Sequence, residues 1–337
     1  MFAFAGLGFL VSVGYMDPGN WATDLAAGSA FGYQLLFVVL VSSVMAMFLQ
    51  YLALKLGVAT DGTWRRCGGL PRRIPQWVNR MLWIVAELAI AATDLAEVLC
   101  FVYELIKSKP DMGKVMVGYL PTLRTVTDPA MLYIATGILG ATVMPHNLYL
   151  HSSVIQTRAY PRTAPGRRMA IQLGALDSTL SLILAFMVNS AILILAASAF
   201  HYGNPPRDDV ADIGDAYALL ATSLGAKAAS ILFGVALLAA GQNSTITGTL
   251  SGQIVMEGTA IIPAAIVAAV MGREGVAELL VLSQVILSLT LPFAVFPLVH
   301  FTSSSRYLAS TPTRYGSNGM RSGGGVGGAP RPARVPA

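Results

Sequence analysis

Two four-residue strings place reactive side chains inside long apolar stretches: Asp17-Pro18-Gly19-Asn20 and Met144-Pro145-His146-Asn147. Asp17 offers a hard, anionic oxygen and Asn20 a neutral amide oxygen three residues on. That spacing lets both turn toward one point if the chain between them is unwound, which suits a cation. Pro18 removes a backbone donor and Gly19 relaxes the chain, so a helix from about residue 4 is expected to stop near Met16 and another to begin near Asn20. Carbonyls near Gly14 are then left open. In the second string Pro145 releases upstream carbonyls, notably that of Ala141, and Met144 adds a polarizable thioether. Sulfur shifts the choice of ion. Oxygen donors alone suit calcium or magnesium, whereas Asp17, Asn20 and Met144 together point to manganese or ferrous iron, with cadmium or cobalt tolerated. The plainer readings are that Asp17 caps a helix or pairs with a base, and that Met144 packs in a core.

His146 is open to three roles: a metal ligand, a proton carrier, or a polar residue hydrogen-bonded between helices. Asp94 and Glu97 lie three apart on one helix face. Carboxylates inside a membrane must face protein or water and, with histidine, are the usual parts of proton relays. Glu87 falls nearer an interface.

The elements that must position these groups follow from composition. Of the 337 residues 55% are hydrophobic and 12% charged, and mean hydropathy is +0.63, against roughly 25% charged for an average soluble domain. This is the composition of an all-α, multi-pass membrane protein. Eight spans are expected, at about 3–29, 33–57, 78–106, 129–157, 169–200, 226–254, 259–272 and 275–303, the seventh being short for a hydrocarbon core of about 30 Å. Arginine follows the second span (Arg65, Arg66, Arg72, Arg73, Arg80), the fourth (Arg158, Arg162, Arg167, Arg168) and the eighth (Arg306, Arg314, Arg321). These connections should face the cytoplasm, with an inward N-terminus and a cytoplasmic tail. The alternate loops read as external, acidic around Asp208, Asp209, Asp212 and Asp215; the one holding Lys107, Lys109, Lys114 and Arg124 is a partial exception. No cleavable signal stands out. The net charge of +5 is spread over separate loops, which argues against nucleic acid as a partner. Cys67 and Cys100 form neither a disulfide pattern nor a zinc motif. Residues 1–304 form a transmembrane domain, and 305–337, rich in Gly, Ser, Pro and Arg, should be a disordered tail. No nucleotide loop, nucleophile elbow or zinc-hydrolase helix occurs, and Ser152-Ser153 after His151 have no definable base. An enzyme is not expected, and no cofactor is implied.

Over about residues 3–304 the chain resembles the Nramp divalent metal transporters, especially the bacterial proton-coupled manganese type. The two strings above carry the likeness. So do Ala-Thr-Asp-Leu-Ala-Glu at 92–97, Gly-Gln-Asn-Ser-Thr-Ile-Thr-Gly-Thr at 241–249 and Gln-Ile-Val-Met-Glu-Gly at 253–258, all in the expected order. The resemblance implies a leucine-transporter-like bundle of two inverted five-helix repeats, each opening with a broken helix, here incomplete at about eight spans. It implies that Asp17, Asn20, Met144 and the Ala141 carbonyl hold the metal, with the Gly14 carbonyl joining in some conformations and Gln284 approaching when the site is occluded. His146, Asp94 and Glu97 fall at positions associated with proton movement. Paired interrupted segments are the general mark of a transporter's midplane site.

The chain departs from that family pattern in two places. After Glu97 it runs almost at once into Leu99-Cys100-Phe101-Val102-Tyr103-Glu104, so that one span and most of another are missing. After Gly258 only Thr259-Ala260 stands where the family carries a basic amphipathic stretch and the start of its ninth helix. The arginine linked to proton exit there has no counterpart, and the last family helices are replaced by the tail. These losses fall on the scaffold, exposing helix faces that lipid or a second copy would have to cover. The leading expectation is proton-coupled symport of Mn2+ or Fe2+ by alternating access. The alternatives are a truncated membrane protein that binds metal without moving it and a sodium-coupled carrier of organic solutes, which would not call for Met144.

Overall fold

The computed structural model describes residues 14–59, 108–203 and 261–303, the last with side chains from Glu278 onward, and the isolated positions Gly8, Val11, Ser12, Ile106, Pro206, Leu238 and Gly241. Apart from those isolated positions, the expected spans 78–106 and 226–254, the acidic loop and the tail 305–337 lie outside the described residues. So do Cys67, Glu87, Asp94, Glu97 and Cys100.

Every regular element among the described residues is helical. Val11 and Ser12 are helical, Gly14 and Tyr15 form a turn, and α1 runs from Pro18 to Phe31. The first helix therefore stops earlier than Met16, and the next begins before Asn20. Asp17 is the reason: its backbone is extended (φ −80°, ψ 166°) and its side chain accepts from the Asn20 N–H, making it an N-cap with proline at the favoured first position. The helix ends where Gly32 takes φ +59°, a left-handed conformation that costs glycine nothing. One 3-10 turn, Gly32–Leu35, leads into α2, Leu36–Ala59.

Two short helices, α3 (Met112–Gly118) and α4 (Arg124–Thr127), precede α5, Pro129–Thr142, which Asp128 caps. Val143 and Met144 lie outside any helix, with Met144 extended at φ −83°, ψ 120°, the conformation a following proline imposes. From Pro145 the chain is helical again as α6, to Val154, then one 3-10 turn to Thr157. The long α7, Ala164–Ala196, starts at the Thr163 cap and closes in a π turn, Ala197–His201.

The last described helix, α8, is continuous from Ile261 to Ser303. From residue 261 onward the expected spans 259–272 and 275–303 are therefore one element, with no turn at Arg273-Glu274. Arginine and glutamate are good helix formers, and the flanking Gly272 and Gly275 cost only about 1 kcal/mol each inside a helix. Pro292 and Pro297 also lie within α8, as prolines do in membrane helices whose neighbours satisfy the freed carbonyls.

Among the described residues three helical stretches, Pro18–Ala59, Ala164–His201 and Glu278–Ser303, are long and apolar enough to cross a membrane. Their exposed side chains fall in stripes at helical spacing: Val41, Val44, Phe48 and Tyr51 on α2; Leu176, Leu180, Ile183 and Met187 on α7; Ile286, Leu289, Phe293 and Phe296 on α8. In water such stripes would be a large exposed apolar patch; against acyl chains they are the contact surface.

The inward faces meet through small residues, the usual device where backbones approach closely in lipid. Gly28 of α1 abuts Leu193, Ala196 and Ala197, and Gly57 of α2 abuts Ser152 and Ile155. Gly140 of α5 faces the backbone of Gln284 on α8. Around Trp21 and Leu25 the core gathers Tyr15, Leu182, Val188, Ile192 and Phe200. Because the obstacle at Gly140 is a backbone carbonyl, Gly140→Ala must push α5 and α8 apart. It is expected to cost about 1–3 kcal/mol, read as a lower thermal midpoint in detergent.

Candidate metal centre

Pro145 has no N–H to give to Ala141, so that carbonyl must find another donor. It finds Asn20: the Asn20 Nδ2 donates to Ala141 O at 3.1 Å and to Asp17 Oδ1 at 2.7 Å. One amide thus joins the start of α1 to the end of α5, across 121 residues of sequence. Asp17 Oδ1 also accepts from the Asn20 backbone N–H at 2.9 Å, so the capping role weighed from the sequence is realised. A carboxylate has a second oxygen, and Asp17 Oδ2 lies on the side of Gly19, 3.3 Å from where a Cβ there would stand. The amide of Gln284 occupies the same space above Gly19.

Met144 is 2% exposed and ends against Asn147, whose Nδ2 donates to Sδ at 3.7 Å. The Asn147 amide in turn lies over Gly14, its nitrogen 2.5 Å from the position of an added Cβ. The structure therefore joins Asp17, Asn20 and Ala141 directly, seats Gln284 beside Asp17, and links Met144 to Gly14 through Asn147. His146, second residue of α6, is half-buried and stands outside this hydrogen-bonded set. Asp94 and Glu97 lie outside the described residues.

Several buried amide oxygens near this junction have no hydrogen bond: Asn147 Oδ1, Asn189 Oδ1 and Gln284 Oε1. Buried acceptors without donors are uncommon and costly, and oxygens of this kind are what a divalent cation takes up. Among the described residues no three His, Cys, Asp or Glu side chains gather as in a zinc-type site. Any ion held here would meet one carboxylate together with neutral oxygens and sulfur, a donor set fitting a borderline divalent transition ion.

Sequence reasoning passed over two groups. Asn189 of α7 donates to Tyr15 O at 3.0 Å and to Asn20 Oδ1 at 3.4 Å, so a third helix holds the Asn20 amide. Gln50 of α2 donates to the Tyr15 hydroxyl and accepts from His151 Nδ1, both at 2.7 Å. The available signal was a polar residue in the middle of an apolar helix, which in lipid has to be partnered or functional. Gln50→Leu would strand the buried Tyr15 hydroxyl and His151 imidazole together. At about 1–3 kcal/mol per unsatisfied group, a marked fall in thermal stability is expected in detergent, with His151→Phe in the same background recovering part of it.

Fold and site together describe a helical membrane protein whose polar groups converge at two helix interruptions. Comparison with known proteins narrows the class. The Natural resistance-associated macrophage protein-like family, Nramp, matches residues 8–100 and 98–321, and the chain belongs to that family. The divalent metal cation transporter MntH of Nostoc sp. is 46% identical over 377 positions, taking in 91% of this chain and 84% of the relative. MntH of Listeria innocua is 46% identical over 375, taking in 91% and 83%. Among solved structures, the Eremococcus coleocola manganese transporter in complex with an aromatic bis-isothiourea substituted compound superposes with a TM-score of 0.73 at 29% identity, covering 92% of this chain and 81% of that one. The alignment to the Nostoc relative, at 377 positions, is longer than the whole 337-residue chain. Those relatives thus carry internal positions that this chain lacks, and the two family segments meet at residues 98–100, beside the first gap noted from the sequence.

Proposed function

We propose that this protein carries divalent transition metal ions, Mn2+ or Fe2+, across the cell membrane by alternating access, in symport with protons. The observation that carries the reading is the single Asn20 amide spanning Asp17 Oδ1 and Ala141 O. A carboxylate and a proline-freed carbonyl stand on either side of one small polar group, at the place where a cation would bridge them. The naming of relatives as divalent metal cation transporters supports the same cargo. Asp17, Asn20, Met144, the Ala141 and Gly14 carbonyls and Gln284 form the ligand set, and His146, Asp94 and Glu97 the proton route.

The chain then takes up a leucine-transporter-like bundle in which the stretch before Pro18 continues into α1, and α5 into α6, as two broken spans. An inward N-terminus follows from the arginine-rich connections after the second, fourth and eighth expected spans, with the loop holding Lys114 and Arg124 a partial exception.

The test is uptake into proteoliposomes holding a metal-sensitive dye and a pH-sensitive dye. Mn2+ entry accompanied by internal acidification is the expected result. Metal binding without flux would instead identify a membrane protein that holds metal and does not move it. Flux without acidification would remove His146, Asp94 and Glu97 from the mechanism.

A further inference from the structure

The second string ends in Asn147, to which the reading above gives no task. Asn147 is fully buried, sits three residues after Met144, and makes two contacts that bind the interruptions to each other. Its Nδ2 reaches back to the Met144 sulfur at 3.7 Å, as a third-position side chain reaches back to the helix cap in a capping box. Methionine cannot cap, and α6 has no side-chain cap bond at Met144. The amide's donor goes to sulfur instead. On its other side the same amide rests on the bare Cα of Gly14: an added Cβ there would stand 2.5 Å from Nδ2 and 3.0 Å from Oδ1. Oδ1 itself is buried with no hydrogen bond, so apart from the sulfur contact the amide is held by its place between the two interruptions.

A thioether has two lone pairs and three rotatable bonds leading to it. A donor on one lone pair fixes the direction of the other. Partners of this kind orient first-contact ligands in many metal sites and tune their affinity.

We propose that Asn147, seated on Gly14, is a positioning residue that aims the Met144 sulfur, and that glycine is required at 14 as the floor of this seat. The proposal rests on the metal reading above and adds a residue to it. It predicts that disturbing either side of the contact weakens soft ions selectively. Asn147→Ser removes the reach to sulfur with a modest change of volume, and Gly14→Ala displaces the amide by occupying its space. These substitutions lie 133 positions apart and should act alike.

The experiment measures Mn2+, Cd2+ and Ca2+ binding by calorimetry on the purified full chain, with thermal midpoints recorded alongside. The variants are Asn147→Ser, Gly14→Ala, Met144→Leu and the double variant Asn147→Ser/Met144→Leu. Expected is a loss in Cd2+ affinity of about tenfold or more in each single variant, the range for outer partners of metal ligands, with a smaller loss for Ca2+, so that the Cd2+ to Ca2+ affinity ratio falls in all three. The double variant should match Met144→Leu alone, since the sulfur is the intermediary. Cd2+ affinity unchanged in both Asn147→Ser and Gly14→Ala, while Met144→Leu loses it, overturns the proposal and leaves the metal reading standing. Additive losses in the double variant would put Asn147 in direct contact with the ion and also overturn it. Equal losses for Cd2+ and Ca2+ would mark a structural role only. Unaltered discrimination in Met144→Leu would remove the sulfur from the ligand set, and with it the part of the metal reading on which this proposal rests, independently of Asn147.

Discussion

Asp17→Asn is expected to reduce Mn2+ uptake by at least about 100-fold, or about 2.8 kcal/mol, with little change in thermal stability. Asparagine caps a helix as well as aspartate does, so the bond to the Asn20 N–H, 2.9 Å in the native chain, has a replacement. What is lost is charge. Two unit charges 4 Å apart attract by about 4 kcal/mol at an effective dielectric of 20, and a dication doubles the attraction, so the stated factor is a lower bound. Asp17→Ala gives the contrast. It removes the cap as well and should lower stability by about 1 kcal/mol more. Uptake assays beside thermal unfolding of both variants separate the two roles. Native uptake in Asp17→Asn would reduce Asp17 to a helix cap.

The second large effect concerns selectivity. Met144→Leu keeps the volume of a side chain that is 2% exposed, and volume-conserving apolar swaps usually cost less than about 1.5 kcal/mol. Met144→Ala leaves a cavity worth about 2–5 kcal/mol, so the leucine variant is the cleaner probe. Without sulfur the remaining donors are all hard oxygens, which favour calcium and magnesium. Competition of Cd2+ and Ca2+ against Mn2+ uptake should shift by about 10- to 100-fold toward Ca2+, about 1.4–2.8 kcal/mol. A ratio equal to the native one would make Met144 a packing residue.

These predictions rest on features that differ in how far they could be read from the chain. Proline acts locally, so the release of the Ala141 carbonyl upstream of Pro145 follows from the residue type; that the helices stop at Pro18 and Pro145 does not, since Pro292 and Pro297 lie inside α8 without interrupting it. The helix ends around Asp17 fell a few residues from expectation because the cap, a backbone conformation, decides them. Asn189, Gln50 and His151 were not legible. Asn20 and Asn189 are 169 residues apart, and Gln50 and His151 are 101, so only the packing of α1, α2, α6 and α7 brings them together. The single α8 shows the reverse failure: Gly272-Arg273-Glu274-Gly275 has the composition of a turn, yet nothing in it forbids a helix, and the longer element prevailed. Gln284 was placed by resemblance; its neighbourhood to Asp17 depends on Gly19 and Gly140, whose missing side chains let α8 approach.

The Asn20 amide has a bearing on how tightly any ion can be held. Its nitrogen faces Asp17 and Ala141, and its oxygen faces Asn189. To offer that oxygen to a cation the group must turn over, surrendering three hydrogen bonds that the incoming ion then replaces. On the proposed ligand set, loading would swap one positive partner for another instead of filling a void, so the net gain would be small compared with the gross attraction. A carrier would gain from that arrangement: when cargo leaves, the Asp17 carboxylate keeps the Asn20 amide as its partner on the return.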